Sequence, residues 1–488
     1  MADAGARREP RGDLTQGRIA PTLLAFALPT LASSILQSLN GTVNAIWVGR
    51  FLGEGALAAT SNANMVMFLL SAFVFGFGMA STILIGQAWG RRDVDEARRV
   101  FGTAGGSFAL VTIAVAVAGY FLAPGILKLL GTPGDAAPLA LAYLRVIFLA
   151  LPALLLLTLL MMALRGSGDS LTPLWFMIVA VVLDSGLNPF FIRGWGPFPE
   201  MGIAGSAMST LVGNYVSLIG LFIYIYAKDL PLRLRGSELR YLIPDAAILK
   251  TLVIKGLPMG IQMIVISVSA LTLVGLVNRE GVDTTAAFGV AMQLWTYVQM
   301  PAMALGAAVS AMASQNIGAG KWDRVGQITR VGIGQSLLIT GALIVLMTLA
   351  DRTVLSLFMG SGSPALPIAR HIHVLATWNF LLFGVTMVLF ATVRANGAVW
   401  APLIILAIGL VPVRFGWILG TYGWLGADAL WTSFPVSSFV NLALSVGYYL
   451  QGGWKKARMK AEPCPDEDEC TEEALATREP GGALNPAG

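Results

Sequence analysis

Long runs of apolar residues recur along most of the chain, and each is close to the length that crosses a lipid bilayer as a helix. A transmembrane helix needs about 20 consecutive, mainly apolar residues. Only 12% of the residues are charged, and the mean hydropathy is +0.72, whereas an average soluble domain has about 25% charged residues. The short alternating segments of a membrane β-barrel are not found in the sequence. The sequence therefore predicts an all-α integral membrane protein.

We expect these runs to form twelve transmembrane helices. Several of them are longer than a straight crossing requires, so tilting or kinking is expected. The first 18 residues are polar and lack the apolar core of a removable signal peptide. The predicted helices cover residues 20–49, 57–87, 101–123, 139–163, 171–192, 202–226, 250–278, 284–314, 329–350, 367–392, 400–420 and 426–450.

The distribution of basic residues predicts the orientation of the helices. Most of the 32 Lys and Arg lie in the N-terminus, the even-numbered loops and the tail, and few lie in the odd-numbered loops. Cytoplasmic loops carry such an excess, so both termini are predicted on the cytoplasmic side of a bacterial inner membrane. Because these residues are scattered over short loops, no nucleic-acid partner is expected. Arg145 and Arg414 differ from the rest, since they fall inside apolar spans.

The chain repeats itself at an offset of 228 or 229 residues. Residues 165–173 follow an Arg-x-x-Gly-x-x-x-x-Pro pattern that returns at residues 394–402, and Pro29 matches Pro258. Matches in order at a constant offset are typical of an internal duplication. Equivalent positions lie six helices apart, so the two halves insert in the same orientation, related by an axis along the membrane normal.

The duplication predicts two pseudo-symmetric six-helix lobes. Their cleft is the expected place for a substrate, and rocking of the lobes would alternate its access to the two sides. The polar tail is rich in Glu, Asp, Pro and Gly, so it is expected to be disordered. The predicted parts are a cytoplasmic N-terminus (1–18), an N-lobe (19–228), a cytoplasmic linker (229–249), a C-lobe (250–452) and a disordered cytoplasmic tail (453–488).

Several spaced motifs resemble the multidrug and toxic compound extrusion family. They include the decapeptide NAIWVGRFLG at residues 44–53, a Gly-Gln-x-x-Gly motif at residues 86–90, LNPFFI at residues 187–192 and GIAGSA at residues 202–207. The resemblance covers residues 20–450. It implies a monomer with a V-shaped pair of lobes that exports drugs or metabolites, driven by inward flow of protons or sodium ions. The implied partners are small organic substrates and membrane lipids.

Asp184 is the clearest acidic residue inside an apolar span. A charged side chain at the centre of a bilayer costs about 2.5–3.5 kcal/mol on insertion scales, so such residues usually have a function. Asn188 follows one helical turn later, and Asn40 and Asn44 have the same spacing on the first helix. We predict that these four residues form a polar pocket that couples transport to a cation. No metal site and no cofactor apart from the coupling ion are expected.

The predicted pocket departs from the family pattern. Family members often carry an acid on the first helix where this chain has Asn44, and their Asn-x-x-x-Asp-Pro pattern is exchanged here to Asp184-x-x-x-Asn188-Pro189. The acids that one subfamily carries in its second lobe are replaced at residues 266–267 and 383–384. The resemblance therefore favours proton coupling through Asp184, with sodium as the alternative.

Polar, aromatic and sulfur-containing side chains in the helices are candidates for substrate contacts. A flexible thioether suits promiscuous binding, and an indole ring can hold an organic cation. Each of these side chains could instead serve helix packing. The candidates are Gln37, Asn64, Met177, Thr210, Asn214, Gln262 and Trp295.

Two other functions compete with drug efflux. A flippase or exporter of a lipid-linked or other specific metabolite in the same superfamily would predict extra helices and a strongly basic central cavity. A membrane enzyme would need a catalytic or metal-ligating constellation, and the chain has only 2 histidines and no such pattern in its loops. The sequence therefore favours a transporter and not an enzyme.

Overall fold

The computed structural model describes residues 12–129, 137–360 and 362–459 of the chain. These residues are almost entirely helical, and no strand occurs among them. The first lobe contains six long helices, each beginning close to a predicted apolar run. They are α1 Ile19–Leu52, α2 Glu54–Gly90, α3 Val94–Leu129, α4 Ala137–Gly166, α5 Leu171–Arg193 and α6 Ile203–Ala227.

The second lobe repeats this arrangement with three irregularities. A short helix follows α9, the tenth span is bent, and a π turn interrupts the eleventh. The helices are α7 Ala246–Val277, α8 Val282–Gly318, α9 Trp322–Leu349, α10 Asp351–Met359, α11 Ala365–Ala376, α12 Asn379–Ala395, α13 Trp400–Ile408, the π turn Gly409–Val413, α14 Arg414–Leu425 and α15 Asp428–Gln451.

The twelve-helix, two-lobe prediction is confirmed. Ten helices of the described residues are long and apolar enough to cross a membrane, and α11 with α12 adds a further span bent by 44°. The remaining span, α8, has 37 residues and carries many small and polar side chains that are buried against neighbouring helices. The continuous helix predicted at 367–392 is broken after Ala376, which sequence periodicity did not show.

The first helix of each lobe packs extensively against the other lobe. α7 packs mainly along α2, and α1 packs along α8 and α9 as well as along α5 of its own lobe. Glycines let α2 and α7 approach closely, because a Cβ atom on Gly76 would overlap the carbonyl oxygen of Gly256. The lobes therefore share two helices across their boundary.

The lobes also meet where α2 and α8 end, at Gly90 and Gly318, a region that we call the closed end. Gln87 donates from Nε2 to the carbonyl of Ala395 in the other lobe at 2.7 Å. The equivalent Gln315 donates to the carbonyl of Gly166 at 3.1 Å. A Cβ atom on Gly90 would overlap the carbonyl oxygen of Gln315, and one on Gly318 would overlap that of Gln87. Glycine is therefore required for this contact.

Residues 12–17, which we call the N-terminal strap, cover the closed end. The N–H of Leu14 donates to Oε1 of Gln315 at 2.8 Å, and Nζ of Lys321 donates to the carbonyl of Thr15 at 2.9 Å. The side chains of Leu14 and Thr15 are buried. The predicted polar N-terminus thus includes a segment that packs between the lobes.

The segments predicted as linker and tail also contain ordered residues. In the linker, a 3₁₀ turn at Gly236–Leu242 packs against α3. After α15, Trp454 and Met459 are both buried with 2% of their surface exposed. Packing therefore continues past residue 453, where the tail was predicted to begin, and residues 460–488 lie outside the described part of the chain.

We expect Gln315→Leu to destabilise the protein. The substitution leaves the N–H of Leu14 and the carbonyl of Gly166 without their side-chain partner in a buried position, which costs about 1–3 kcal/mol for each group left unpaired. Gln327→Leu, at an exposed position of α9, is the control. Differential scanning fluorimetry of the purified protein should show a Tm several degrees lower for Gln315→Leu. An equal Tm for the two variants would contradict this role of Gln315.

Candidate coupling and substrate site

Asp184 lies inside the first lobe with 2% of its surface exposed. α5 begins at Leu171, two residues after Asp169, whose Oδ1 accepts a hydrogen bond from the N–H of Thr172 at 2.9 Å and fixes the start of the helix. α5 packs between α1 and α6, its two main neighbours at this level. The helix therefore presents a carboxylate to polar side chains on both of these neighbours.

Four neutral side chains donate hydrogen bonds to Asp184. From α1, Nδ2 of Asn40 and Nδ2 of Asn44 both reach Oδ2, at 2.8 and 3.1 Å. From α6, the hydroxyls of Ser209 and Thr210 reach Oδ1, at 3.0 and 3.1 Å. We call these five residues the Asp184 pocket. Among the described residues, no Lys, Arg or His forms an ion pair with Asp184.

A second layer of side chains orients the two asparagines. Nδ2 of Asn188 donates to Oδ1 of Asn44 at 2.8 Å, and the hydroxyl of Ser185 donates to Oδ1 of Asn40 at 3.0 Å. The amide oxygens are thus occupied, which directs both amide nitrogens toward the carboxylate. Oδ1 of Asn188 has no hydrogen-bond partner in the protein although the residue is completely buried. A buried polar atom of this kind marks a place where a water or an ion fits.

The geometry of the pocket suits a carboxylate that gains and loses a proton. The Ser209 and Thr210 hydroxyls also lie within reach of the Ser206 carbonyl, at 2.8 and 3.4 Å. They can therefore turn to that carbonyl and accept a proton carried by Asp184. The amides of Asn40 and Asn44 have no such choice, because an amide nitrogen only donates. A proton on Oδ2 must displace at least one of them, so the charge of Asp184 is linked to the contact between α1 and α5.

The structure distributes the predicted first-lobe substrate residues over several environments. Thr210 belongs to the Asp184 pocket, and Asn214 supports it by donating to its carbonyl at 2.8 Å. Gln37 is exposed on α1, and Met177 is half-buried against the first-lobe core. Asn64 lies in α2, but its side chain is outside the described part of the structure.

The two predicted second-lobe residues make interactions within that lobe. Gln262 is buried, and its Oε1 accepts from Nη1 of Arg394 at 3.3 Å. Trp295 is also buried, and its Nε1 donates to Oγ1 of Thr377 at 2.9 Å. Its ring meets that of Phe434 edge to face at 4.9 Å. Both side chains thus interact within the second lobe. Helix packing was the alternative to a substrate contact that the sequence left open.

Two residues of the site escaped the sequence analysis. Ser185 follows Asp184 directly, and Ser209 precedes the candidate Thr210. A cluster of hydroxyls at Ser206, Ser209 and Thr210, spaced by three and four residues along α6, is the signal that could have identified Ser209. A single serine in a membrane helix usually bonds its own backbone, so the signal becomes informative only when α6 is known to face α5.

Comparisons with known proteins agree with the sequence resemblance. The MatE family model matches residues 29–190 and 258–416, one segment in each lobe. The chain is 38% identical to the "Probable multidrug resistance protein YoeA" of Bacillus subtilis, over 89% of this chain and 94% of that protein. It is 23% identical to a "Probable multidrug resistance protein NorM" of Thermotoga maritima, over 90% of this chain and 94% of that protein. A structure described as the "Outward-facing conformation of a multidrug resistance MATE family transporter of the MOP superfamily" superposes with a TM-score of 0.83 at 20% identity, over 92% of this chain and all of that chain.

Proposed function

The chain belongs to the MATE family of multidrug efflux transporters, and we propose that it exports small organic molecules, often cationic, across a bacterial inner membrane in exchange for inward-moving protons. The observation that carries the proposal is the buried carboxylate of Asp184, which has only neutral donors around it. An antiporter needs a group that binds the coupling ion and favours a different conformation when it is occupied.

The composition of the Asp184 pocket favours a proton over a sodium ion. A buried carboxylate without a cationic partner is costly, and binding a proton removes the charge. Hard metal cations instead require several oxygen ligands that face the ion. In this pocket, two of the four groups that contact the carboxylate are the amide nitrogens of Asn40 and Asn44, which donate hydrogen bonds and cannot ligate a metal ion. A sodium ion bound at Oδ2 would have to displace both amide nitrogens, whereas a proton on Oδ2 displaces only one.

Helix α1 is the structural link between proton binding and the lobe boundary. It carries Asn40 and Asn44 near the pocket, and it packs against α8 and α9 of the other lobe. Pro29 interrupts its hydrogen-bond ladder between these two contacts. A proton on Oδ2 of Asp184 displaces Asn40 or Asn44 and so weakens the contact between α1 and α5. In this way α1 changes its fit to the second lobe and biases the equilibrium between the two access states.

The closed end lies beside the loops that are rich in Lys and Arg, which the positive-inside rule assigns to the cytoplasm. This arrangement therefore blocks access from the cytoplasm, as expected for the state that releases substrate outside. The proposal requires one chain, because the duplication supplies both lobes. It involves the organic substrate, the surrounding lipids and the coupling ion.

Transport by the purified protein in liposomes tests the proposal. We expect ethidium to move against its own gradient when a pH gradient is imposed, with equal rates in the presence and absence of sodium. Ethidium fluorescence with enclosed DNA gives the rate, and empty liposomes give the background. Transport that follows a sodium gradient and does not depend on pH would show that the coupling ion is sodium and not the proton. Absence of ethidium transport under both gradients would contradict the export of organic cations and favour a specific metabolite or lipid-linked substrate.

A further inference from the structure

The second lobe contains a buried cation that the proposed proton coupling does not use. Arg414 begins α14 with 8% of its surface exposed. Its guanidinium lies 4.5 Å from the centre of the Phe434 ring, and Nη2 donates to the hydroxyl of Ser437 at 3.1 Å. Nε has no hydrogen-bond partner. In the part of the chain that the structure describes, no Asp or Glu forms an ion pair with Arg414.

Arg414 occupies the position in the second lobe that Asp184 occupies in the first. The repeat offset of 229 at residues 165–173 would align Asp184 with Val413. The π turn Gly409–Val413 comes just before Arg414, and a π turn holds one more residue than an α-helical turn. Beyond that turn the offset becomes 230, which aligns Asp184 with Arg414.

The neighbouring helix confirms this equivalence. Gly202 and Gly426 both have a φ of 55°, and they lie one and two residues before the next helix in their lobe, which aligns α6 with α15. This alignment matches Thr210 with Phe434. It also matches Gly213 with Ser437. Asp184 bonds Thr210 and lies against Gly213, while Arg414 lies on Phe434 and bonds Ser437.

The first helix of each lobe also occupies equivalent positions. Asn40 of α1 corresponds to Ser269 of α7 by the offset that relates Pro29 to Pro258. The Ser269 hydroxyl donates to the carbonyl of Leu410 in the π turn at 3.0 Å. The first lobe thus places an acid on α5 beside α1 and α6. The second lobe places a base on α14 beside α15, directly after the π turn that α7 contacts.

A guanidinium stays charged at all physiological pH values, so burial cannot be relieved by losing a proton. One neutral hydroxyl and one aromatic face compensate only part of its lost hydration. The planar fork of Arg is well matched to an oxyanion, which accepts two parallel hydrogen bonds. We propose that Arg414 binds the carboxylate or phosphate group of the exported molecule, so that the substrates include organic anions and zwitterions.

This inference rests on the proposed export function but is tested by equilibrium binding, which needs no gradient. Rhodamine 110 has a free carboxylate, and rhodamine 123 is its methyl ester, so the two dyes differ only in whether this carboxylate is present. Fluorescence anisotropy with the full-length protein in nanodiscs gives both affinities. We expect the parent to bind rhodamine 110 about tenfold more tightly than rhodamine 123, as one charge-assisted hydrogen bond allows. Equal affinities, or no binding of rhodamine 110, would overturn the proposal.

Variants locate the effect at Arg414. Arg414→Gln should remove the preference for rhodamine 110 and leave the affinity for rhodamine 123 within about twofold. Arg414→Lys keeps the charge but loses the planar fork, so an intermediate preference is expected. Asp323→Asn, at an exposed position of α9, is the reference and should keep the preference of the parent. An equal loss for both dyes in Arg414→Gln would show a structural role only, and the comparison of dyes in the parent holds even if that variant fails to fold.

Discussion

Asp184→Asn is expected to abolish proton-driven efflux while leaving the protein folded. Asparagine fits the pocket, because its oxygen can accept from Asn40 and Asn44 while its amide donates to the Ser209 and Thr210 hydroxyls. The variant is neutral and can neither bind nor release a proton. In liposomes with an imposed pH gradient, ethidium transport should fall to the rate of empty liposomes.

Two further measurements make this prediction specific. Asp323→Asn changes an exposed acid at the start of α9 and should transport ethidium at the parent rate. Exchange of labelled for unlabelled substrate without a gradient should persist in Asp184→Asn, because exchange does not require proton release. Full proton-driven transport by Asp184→Asn would show that another group carries the proton and that Asp184 only holds α1 and α6 together.

Gly90→Ala combined with Gly318→Ala is expected to stop transport by preventing the lobes from meeting. Each new methyl group overlaps a backbone carbonyl of the opposite helix. Overpacking of this kind costs about 1–3 kcal/mol for each site, and each 1.4 kcal/mol changes a population about tenfold. The state with a closed end should therefore become rare, and ethidium transport should fall by about tenfold or more.

Spin-label distances give a readout that does not depend on transport. The native cysteines of the tail, Cys464 and Cys470, are first replaced by serine. Spin labels are then attached at Arg92→Cys and Asp323→Cys, two exposed positions near the closed end, one in each lobe. Pulsed electron paramagnetic resonance should show a longer distance between the two labels in the double alanine variant than in the parent. Gly334→Ala is the control, since a Cβ atom there meets no other atom. An unchanged distance distribution would contradict the steric argument.

The sequence was sufficient to predict the twelve helices, the duplication and the core of the Asp184 pocket. The helix spans could be predicted because the thickness of a bilayer fixes the length of the apolar run that crosses it. Asp184, Asn40 and Asn44 were recognisable because polar residues are costly in a membrane, and their equal spacing suggested that α1 and α5 face each other. In the structure these two helices do pack together, and both asparagines bond Asp184.

Other features depended on tertiary structure. The π turn at Gly409–Val413 has no periodicity signal, because a single extra residue leaves an apolar helix apolar. Without this turn, the repeat offset aligns Asp184 with Val413 and hides its correspondence to Arg414. Trp295 and Gln262 were equally suitable as surface or core residues, and their partners Thr377 and Arg394 are far away in sequence. Such contacts are decided by how helices pack and not by local pattern.

The exchange of first helices between the lobes has an evolutionary consequence. If the duplication was inherited from a six-helix ancestor with the same packing, that ancestor left the groove of its second helix to be filled by the first helix of another copy, as α7 fills the groove of α2. Such a chain folds as a parallel, helix-swapped homodimer and not as a single subunit. Fusion of the two copies then freed each half to diverge, so that one could keep an acid where the other acquired a base.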